Sequence, residues 1–158
     1  MRGCRGEEQQ VKLFGNKKPD DFIVIIGCGR LGANLANTLS NHNGNVLIMD
    51  TTKDSFRRLS ADFGGLAVVG DGIDLDALKN AQIEKASVVI AVTNDDNTNI
   101  MIAQLARDMF HVKRVIARLY DPERESVYQE LGIDTICPAV LSAKEVDKFL
   151  EQCKEEQE

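Results

Sequence analysis

IVIIGCGRLG, residues 23–32, is the stretch that decides the fold. Ile23 to Ile26, extended in front by Phe22, form an unbroken apolar run with no polar alternation, as in a strand buried on both faces. Gly27, Gly29 and Gly32 then turn the chain sharply into a helix that opens with Arg30 and Leu31. Similar runs recur along the chain: NVLIMD (45–50), LAVVG (66–70), SVVIAV (87–92), RVIARL (114–119) and DTIC (134–137). Each is expected to be buried on both faces by its composition. Between them lie segments with helical spacing, marked by Leu31, Leu35 and Leu39 after the first strand. Ile100, Ala103, Leu105 and Ala106 mark the one after the fourth. Strands alternating with helices predict an α/β, doubly wound Rossmann-like fold: a six-stranded parallel sheet with right-handed crossovers and helices on both faces.

A chain of 158 residues predicts one domain. Apolar residues make up 43% of it and charged residues 28%, enough for a core under a soluble surface. The formal charge of −6 and the lack of any basic run argue against nucleic acid as a partner. Cys4, Cys28, Cys137 and Cys153 form no CxxC pair, and with only His42 and His111 beside them no zinc spacing appears. Four scattered thiols suit a reducing cytosol. Residues 1–20 carry charges throughout and no apolar signal core, and are expected to be a loosely held arm. No apolar stretch reaches the length of a membrane span. Residues 21–138 are assigned to the nucleotide-fold domain and 139–158 to a C-terminal helix.

GxGxxG is informative only where it follows a strand and opens a helix, as GCGRLG does here. Gly27 permits the turn, Gly29 lets the backbone approach a phosphate, and Gly32 lets helix and strand pack closely. Phosphate would sit on the unpaired N–H groups of that helix. Asp50 closes the second strand, where a carboxylate accepts from ribose hydroxyls and repels a 2′-phosphate, disfavouring NADP. The alternative for Asp50 is a helix cap. Gly70-Asp71-Gly72 follows the third strand and TNDDN (93–97) the fourth, both at carboxyl ends, where such sheets bind ligands. Asp71 could equally make only a turn, and Asn94 or Asp95 only cap a helix. Arg118, inside an apolar run, requires an anion, either a ligand or a structural partner. Arg30 is either a phosphate contact or a solvated residue whose charge opposes the helix dipole.

Taken in order, the arginine within GCGRLG, Asp50, GDG (70–72), TNDDNTN (93–99), VIAR (115–118) and GIDTICPAV (132–140) resemble an RCK domain. This family, also called KTN or TrkA N-terminal, comprises cytosolic nucleotide-binding regulators of potassium channels and Trk/Ktr potassium transporters. The resemblance covers about residues 20–150. It implies an adenine nucleotide (NAD, NADH, ATP, ADP or AMP) held by Gly27, Cys28, Gly29, Arg30, Leu31, Gly32, Asp50, Thr51, Gly70, Asp71, Thr93, Asn94, Asn97 and Arg118. Arg30 would face the terminal phosphates, sometimes those of a neighbouring subunit's nucleotide. The resemblance also implies a homodimer paired through the last helix, or a larger ring. Such a ring would lie peripheral to the inner face of the membrane, on a membrane potassium-transport subunit. On the helix, Val140, Leu141, Ala143, Val146, Phe149, Leu150 and Cys153 fall largely on one face; folding back onto its own sheet is the alternative.

Two departures from the family pattern stand out. Many members continue into a second regulatory lobe (RCK-C), which residues up to Glu158 leave no room for, so that lobe is expected to be excised or on a separate chain. Some members place a metal-holding Glu after the proline that follows the sixth strand; Ala139 stands here, and no metal is expected. The rival reading is an NAD-dependent oxidoreductase or a fragment of one. It is disfavoured because neither His42 nor His111 falls at the carboxyl edge of the sheet as a proton donor.

Overall fold

The computed structural model of the chain describes residues 21–42 and 44–155, with side chains described as far as Gln152. The N-terminal arm, Cys4 and the Cys153 side chain lie outside the described residues. Six strands run β1 (Phe22–Ile26), β2 (Asn45–Asp50), β3 (Leu66–Val69), β4 (Val88–Ala91), β5 (Arg114–Arg118) and β6 (Asp134–Ile136). They pair in the order β3-β2-β1-β4-β5-β6, every pair parallel. The helices are α1 (Arg30–Asn41), α2 (Leu75–Asn80), α3 (Asp96–Gln104), α4 (Glu125–Glu130) and α5 (Pro138–Glu155). A π-helical turn, Leu105–Met109, continues α3.

Successive residues of a strand face opposite sides, so each central strand feeds two core layers. Ile23, Ile25, Val46, Ile48 and Ile90 meet Ala33, Ala36 and Leu39 of α1 on one face. Val24, Ile26, Leu47, Met49 and Val89 meet Leu78, Ile83, Ile102 and Ala106 on the other. The doubly wound architecture is thus the one the sequence predicts.

Two expectations need correction. β3 and β6 are not buried on both faces: Leu66 is 60% exposed and Val69 54%, and no residue of β6 is fully buried. Each has a paired neighbour on one side only and remains partly uncovered as an edge. The inner stripe of α1 is not Leu31, Leu35 and Leu39 but Gly32, Ala33, Ala36 and Leu39. The helix lies so close to the sheet that small residues must face it, and Leu31 and Leu35 pack partly buried on the flanks.

The cause of that closeness is Gly32. A Cβ there would stand 1.9 Å from the Gly27 carbonyl oxygen, and Gly27 itself, at φ +107°, lies against the Val92–Thr93 backbone. At the other end of the chain, α5 leaves the sheet: every residue from Leu141 to Gln152 is exposed, including Leu141, Val146, Phe149 and Leu150. Among the described residues no helix is long and apolar enough to cross a membrane.

Gly32→Ala tests how tightly the glycine turn fixes α1. Overpacking of this kind costs about 1–3 kcal/mol or more. The expected result is a lower urea midpoint with an unchanged slope.

Candidate functional site

The order of the strands reverses between β1 and β4, and a cleft of about 410 Å³ opens there at the carboxyl edge. This switch point is where doubly wound sheets hold ligands. The floor is the glycine turn. Helix α1 begins with no side-chain cap and no acidic residue in its first turn, its N-cap being Gly29. By contrast, Asp74 caps α2 and Asp95 caps α3. The leading N–H groups of α1 are therefore left to a partner outside the helix, and the positive end of its dipole faces the opening. Gly29 is the residue that leaves room: a Cβ there would meet no protein atom closer than Asn94 Oδ1 at 3.9 Å.

Asp50 forms the wall on the β2 side. Its Oδ2 accepts from the Cys28 N–H at 2.8 Å and its Oδ1 from the Thr52 N–H at 2.9 Å. One carboxylate thus ties the glycine turn to the end of β2 and shapes the turn after it, while the remaining lone pairs are available to hydroxyl donors. Beyond it the chain folds back through a 3₁₀ segment, Lys53–Arg58, which brings Ser55 and Arg58 to the lining. Cys28, buried in the turn, donates its thiol to the Ser55 carbonyl. Burial, reinforced by the Asp50 charge and partly offset by Arg58, pushes its thiol pKa up, so it stays protonated at neutral pH.

The opposite wall is built around Asn99, fully buried in α3. Its Oδ1 accepts from the Thr93 N–H and hydroxyl, at 2.8 and 2.7 Å. Its Nδ2 donates to the Thr93 and Arg118 carbonyls, at 3.1 and 3.0 Å. This amide clamps the ends of β4 and β5 together. Asp96 braces the same region by accepting from the Tyr120 and Asp121 N–H groups. Arg118 is 8% exposed and pairs with no carboxylate among the described residues, so the structural ion pair considered from sequence is not formed. Its Nη2 donates to the Thr93 carbonyl and to Asn94 Oδ1, and its guanidinium lies 4.7 Å from the centre of the Tyr120 ring. Its Nε is buried without a partner.

Of the residues singled out from sequence, Gly27, Cys28, Gly29, Asp50, Thr51, Gly70, Asp71, Thr93 and Asn94 line the cleft together. Arg30 and Leu31 lie outside the lining, Arg30 exposed on the first turn of α1. Gly32 is buried against Gly27. Asn97 turns away to accept from Arg124 Nη1 at 2.9 Å, and Arg118 stands behind Asn94. Asp71 accepts from the Ile73 N–H in a local turn, while Asp95 caps α3 through Thr98, whose hydrogen bonds hold the Asp95 carboxyl below its usual pKa. Ser55, Arg58 and Asn99 were missed. Asn99 had a signal, because it shares a helical face with Ile102, Ala103 and Ala106, whereas Arg58 reaches the cleft only through the 3₁₀ fold-back. No cluster of three or more potential metal ligands occurs among the described residues.

A parallel sheet with a glycine turn and an uncapped helix at its switch point defines a Rossmann-like domain. Within that class, the chain belongs to the TrkA-N domain family, which matches residues 23–138. The Trk system potassium uptake protein TrkA of Streptomyces coelicolor is 47% identical over 124 residues, 78% of this chain and 56% of the relative. A TrkA homolog of Methanothermobacter thermautotrophicus is 29% identical, over 84% of this chain and 62% of its own length. The chain thus spans a little over half the length of these relatives. Among solved structures, the GsuK RCK domain is 28% identical with a TM-score of 0.73, covering 89% of this chain and 30% of that one. The GsuK channel bound to NAD has a TM-score of 0.74 at 28% identity, covering 90% of this chain and 25% of that one.

Replacing Asn99 by Ala strips partners from the Thr93 and Arg118 backbone. A cost of about 2 kcal/mol or more is expected, since buried groups left unpaired lose their full desolvation energy. Chemical denaturation of the variant against the parent chain measures it.

Proposed function

We propose that this chain is a nucleotide-sensing regulatory domain of a potassium-transport system, binding an adenine nucleotide (NAD, NADH, ATP, ADP or AMP) at the switch-point cleft. The observation that carries the reading is the uncapped N-terminus of α1 over Gly29, which offers unpaired N–H donors to an anion at a point where no side chain intrudes. In this reading Asp50 and Thr51 would meet the ribose diol and Gly70 and Asp71 the adenine; all four line the cleft. The kinship with proteins named for Trk potassium uptake supports the transport setting, and the GsuK channel bound to NAD and GsuK bound to ADP support the ligand class.

In this reading the domain is a sensor, not an enzyme. His42 follows the C-terminal end of α1 and His111 precedes β5, both at the edge of the sheet away from the cleft. The exposed apolar residues of α5 support pairing with a second copy of the chain. In such a dimer or ring, Arg30 would serve the terminal phosphates of a neighbouring subunit's nucleotide. The assembly would sit at the cytoplasmic face of a membrane transport subunit, with an RCK-C lobe supplied elsewhere. A nucleotide would then bias the arrangement of lobes by its differential affinity for the two states.

Calorimetric titration with ATP, ADP, AMP, NAD and NADH tests the ligand. At least one should bind, and Asp50→Ala should weaken it by about 1–3 kcal/mol. Because Asp50 also ties down Cys28 and Thr52, the same variant should melt earlier; unaltered affinity would remove Asp50 from the site. Light scattering of the full chain against one truncated after Pro138 tests assembly. A dimer or larger species is expected for the former and a monomer for the latter.

A further inference from the structure

A doubly wound sheet is two mononucleotide-binding halves joined at the switch point, and a dinucleotide lies across both. Here the halves are β1-β2-β3 with α1 and β4-β5-β6 with α3, and their ligand edges differ. The first is open. Helix α1 starts on Gly29 with no side-chain cap and no acid in its first turn, and Asp50 keeps lone pairs beyond its two backbone bonds. Thr51, Gly70 and Asp71 complete that side of the cleft.

The second half is closed by its own groups. Its leading helix, α3, is capped by Asp95, which accepts from the Thr98 N–H at 2.7 Å, and carries Asp96 in its first turn. The start of α3 therefore presents carboxylates where α1 presents free N–H groups, and offers a phosphate nothing. Asp96 also takes the donors at the end of β5: its Oδ1 accepts from the Tyr120 N–H at 2.8 Å and its Oδ2 from the Asp121 N–H at 3.1 Å. The Leu119 N–H goes to the Ile136 carbonyl, and the Arg118 carbonyl accepts from Asn99. The Arg118 guanidinium is held by Thr93, Asn94 and Tyr120 and does not line the cleft. The cleft accordingly stops at β4 and α3: among the described residues no lining residue lies past Ile102. Its volume of about 410 Å³ is toward the small end of small-molecule sites, which run from about 300 to 1,000 Å³.

We infer that the cleft takes an adenine mononucleotide (AMP, ADP or ATP) and that a dinucleotide gains nothing from its second nucleoside. This rests on the nucleotide reading and narrows it to one half of the sheet. A nucleoside laid over the end of β5 finds none of the three N–H groups there free. To gain them it must displace Asp96, which leaves a carboxylate stripped of its donors. Either way polar groups lose water without regaining partners. A mononucleotide meets neither cost, since its base, ribose and phosphates need only the open half.

The experiment compares ligands that share the adenosine half: ADP, ADP-ribose and NADH, titrated calorimetrically into the unaltered chain. ADP should bind at least as tightly as ADP-ribose. NADH should bind no more than about threefold tighter than ADP-ribose, from which it differs only by its dihydronicotinamide ring. A larger gain for NADH overturns the inference, because the added ring would then be making contacts. ADP-ribose binding more tightly than ADP overturns it as well. Where NADH binds, saturation-transfer NMR gives an independent reading. The adenine protons should receive saturation from the protein and the dihydronicotinamide protons should not; comparable saturation of the two rings overturns the inference. A chain that binds none of the three ligands, nor AMP or ATP, sinks the nucleotide reading and this inference with it. Binding of ADP-ribose with a large further gain for NADH leaves that reading standing and sinks this inference alone.

Discussion

The carbonyl of Gly27 lies directly beneath Gly32, and the rest of the carboxyl edge depends on that contact. No other residue type fits at position 32, because a side chain would have to occupy the space of the carbonyl oxygen. The contact draws α1 onto the sheet, which is why Ala33 and Ala36 face the strands and Leu31 and Leu35 are pushed to the flanks. It also sets the helix N-terminus over the gap between β1 and β4. Gly27 in turn presses on the Val92–Thr93 backbone, whose position is set by the buried amide of Asn99. Strand β1, helix α1 and the end of β4 thus hold one another in place, leaving little freedom for the cleft to change shape on its own.

The electrostatics of the cleft do not follow from the net charge of the chain. At −6 the molecule is acidic overall, and Asp50, Asp71 and Asp95 all border the opening. Each carboxylate, however, accepts from backbone N–H groups nearby: Asp50 from Cys28 and Thr52, Asp71 from Ile73, Asp95 from Thr98. Hydrogen bonds of this kind offset the negative charge locally. The donors at the start of α1 have no such partner within the helix, and Arg58 and the charge behind Asn94 add to them. The arrangement suits an anion, because the acids are engaged by the backbone while the donors at the start of α1 are not.

Much of this was visible in the residues themselves. Apolar runs marked all six strands because a parallel sheet buries its central strands on both sides, and the glycine turn showed at which edge the cleft lies. Pattern alone could not show that β3 lies at an edge, since strand order is set by the crossovers and not by composition. It placed Leu39 correctly on the inner face of α1 but mistook Leu31 and Leu35, because the close approach that Gly32 permits puts Ala33 and Ala36 against the sheet. Arg118 was recognised as a buried cation, but its partners come from the ends of two strands brought together by the sheet. Arg58 reaches the cleft through a short fold-back that carries no periodic signal. Residues whose role depends on one element could be identified; those whose role depends on the meeting of two could not.

Helix α5 extends for 18 residues, and from Leu141 to Gln152 every side chain is exposed. A solitary helix of this length is close to balance between coil and helix in water, since nucleation is unfavourable and propagation gains little per residue. The Rossmann-like sheet has two packed layers to stabilise it, whereas α5 has only its own backbone and whatever surface comes to lie against Leu141, Val146, Phe149 and Leu150. The chain therefore contains two thermodynamic units of unequal standing, one that carries its own stability and one that would have to borrow its order from a neighbouring surface. In the pairing proposed above, dilution would melt the tail while the sheet stayed folded.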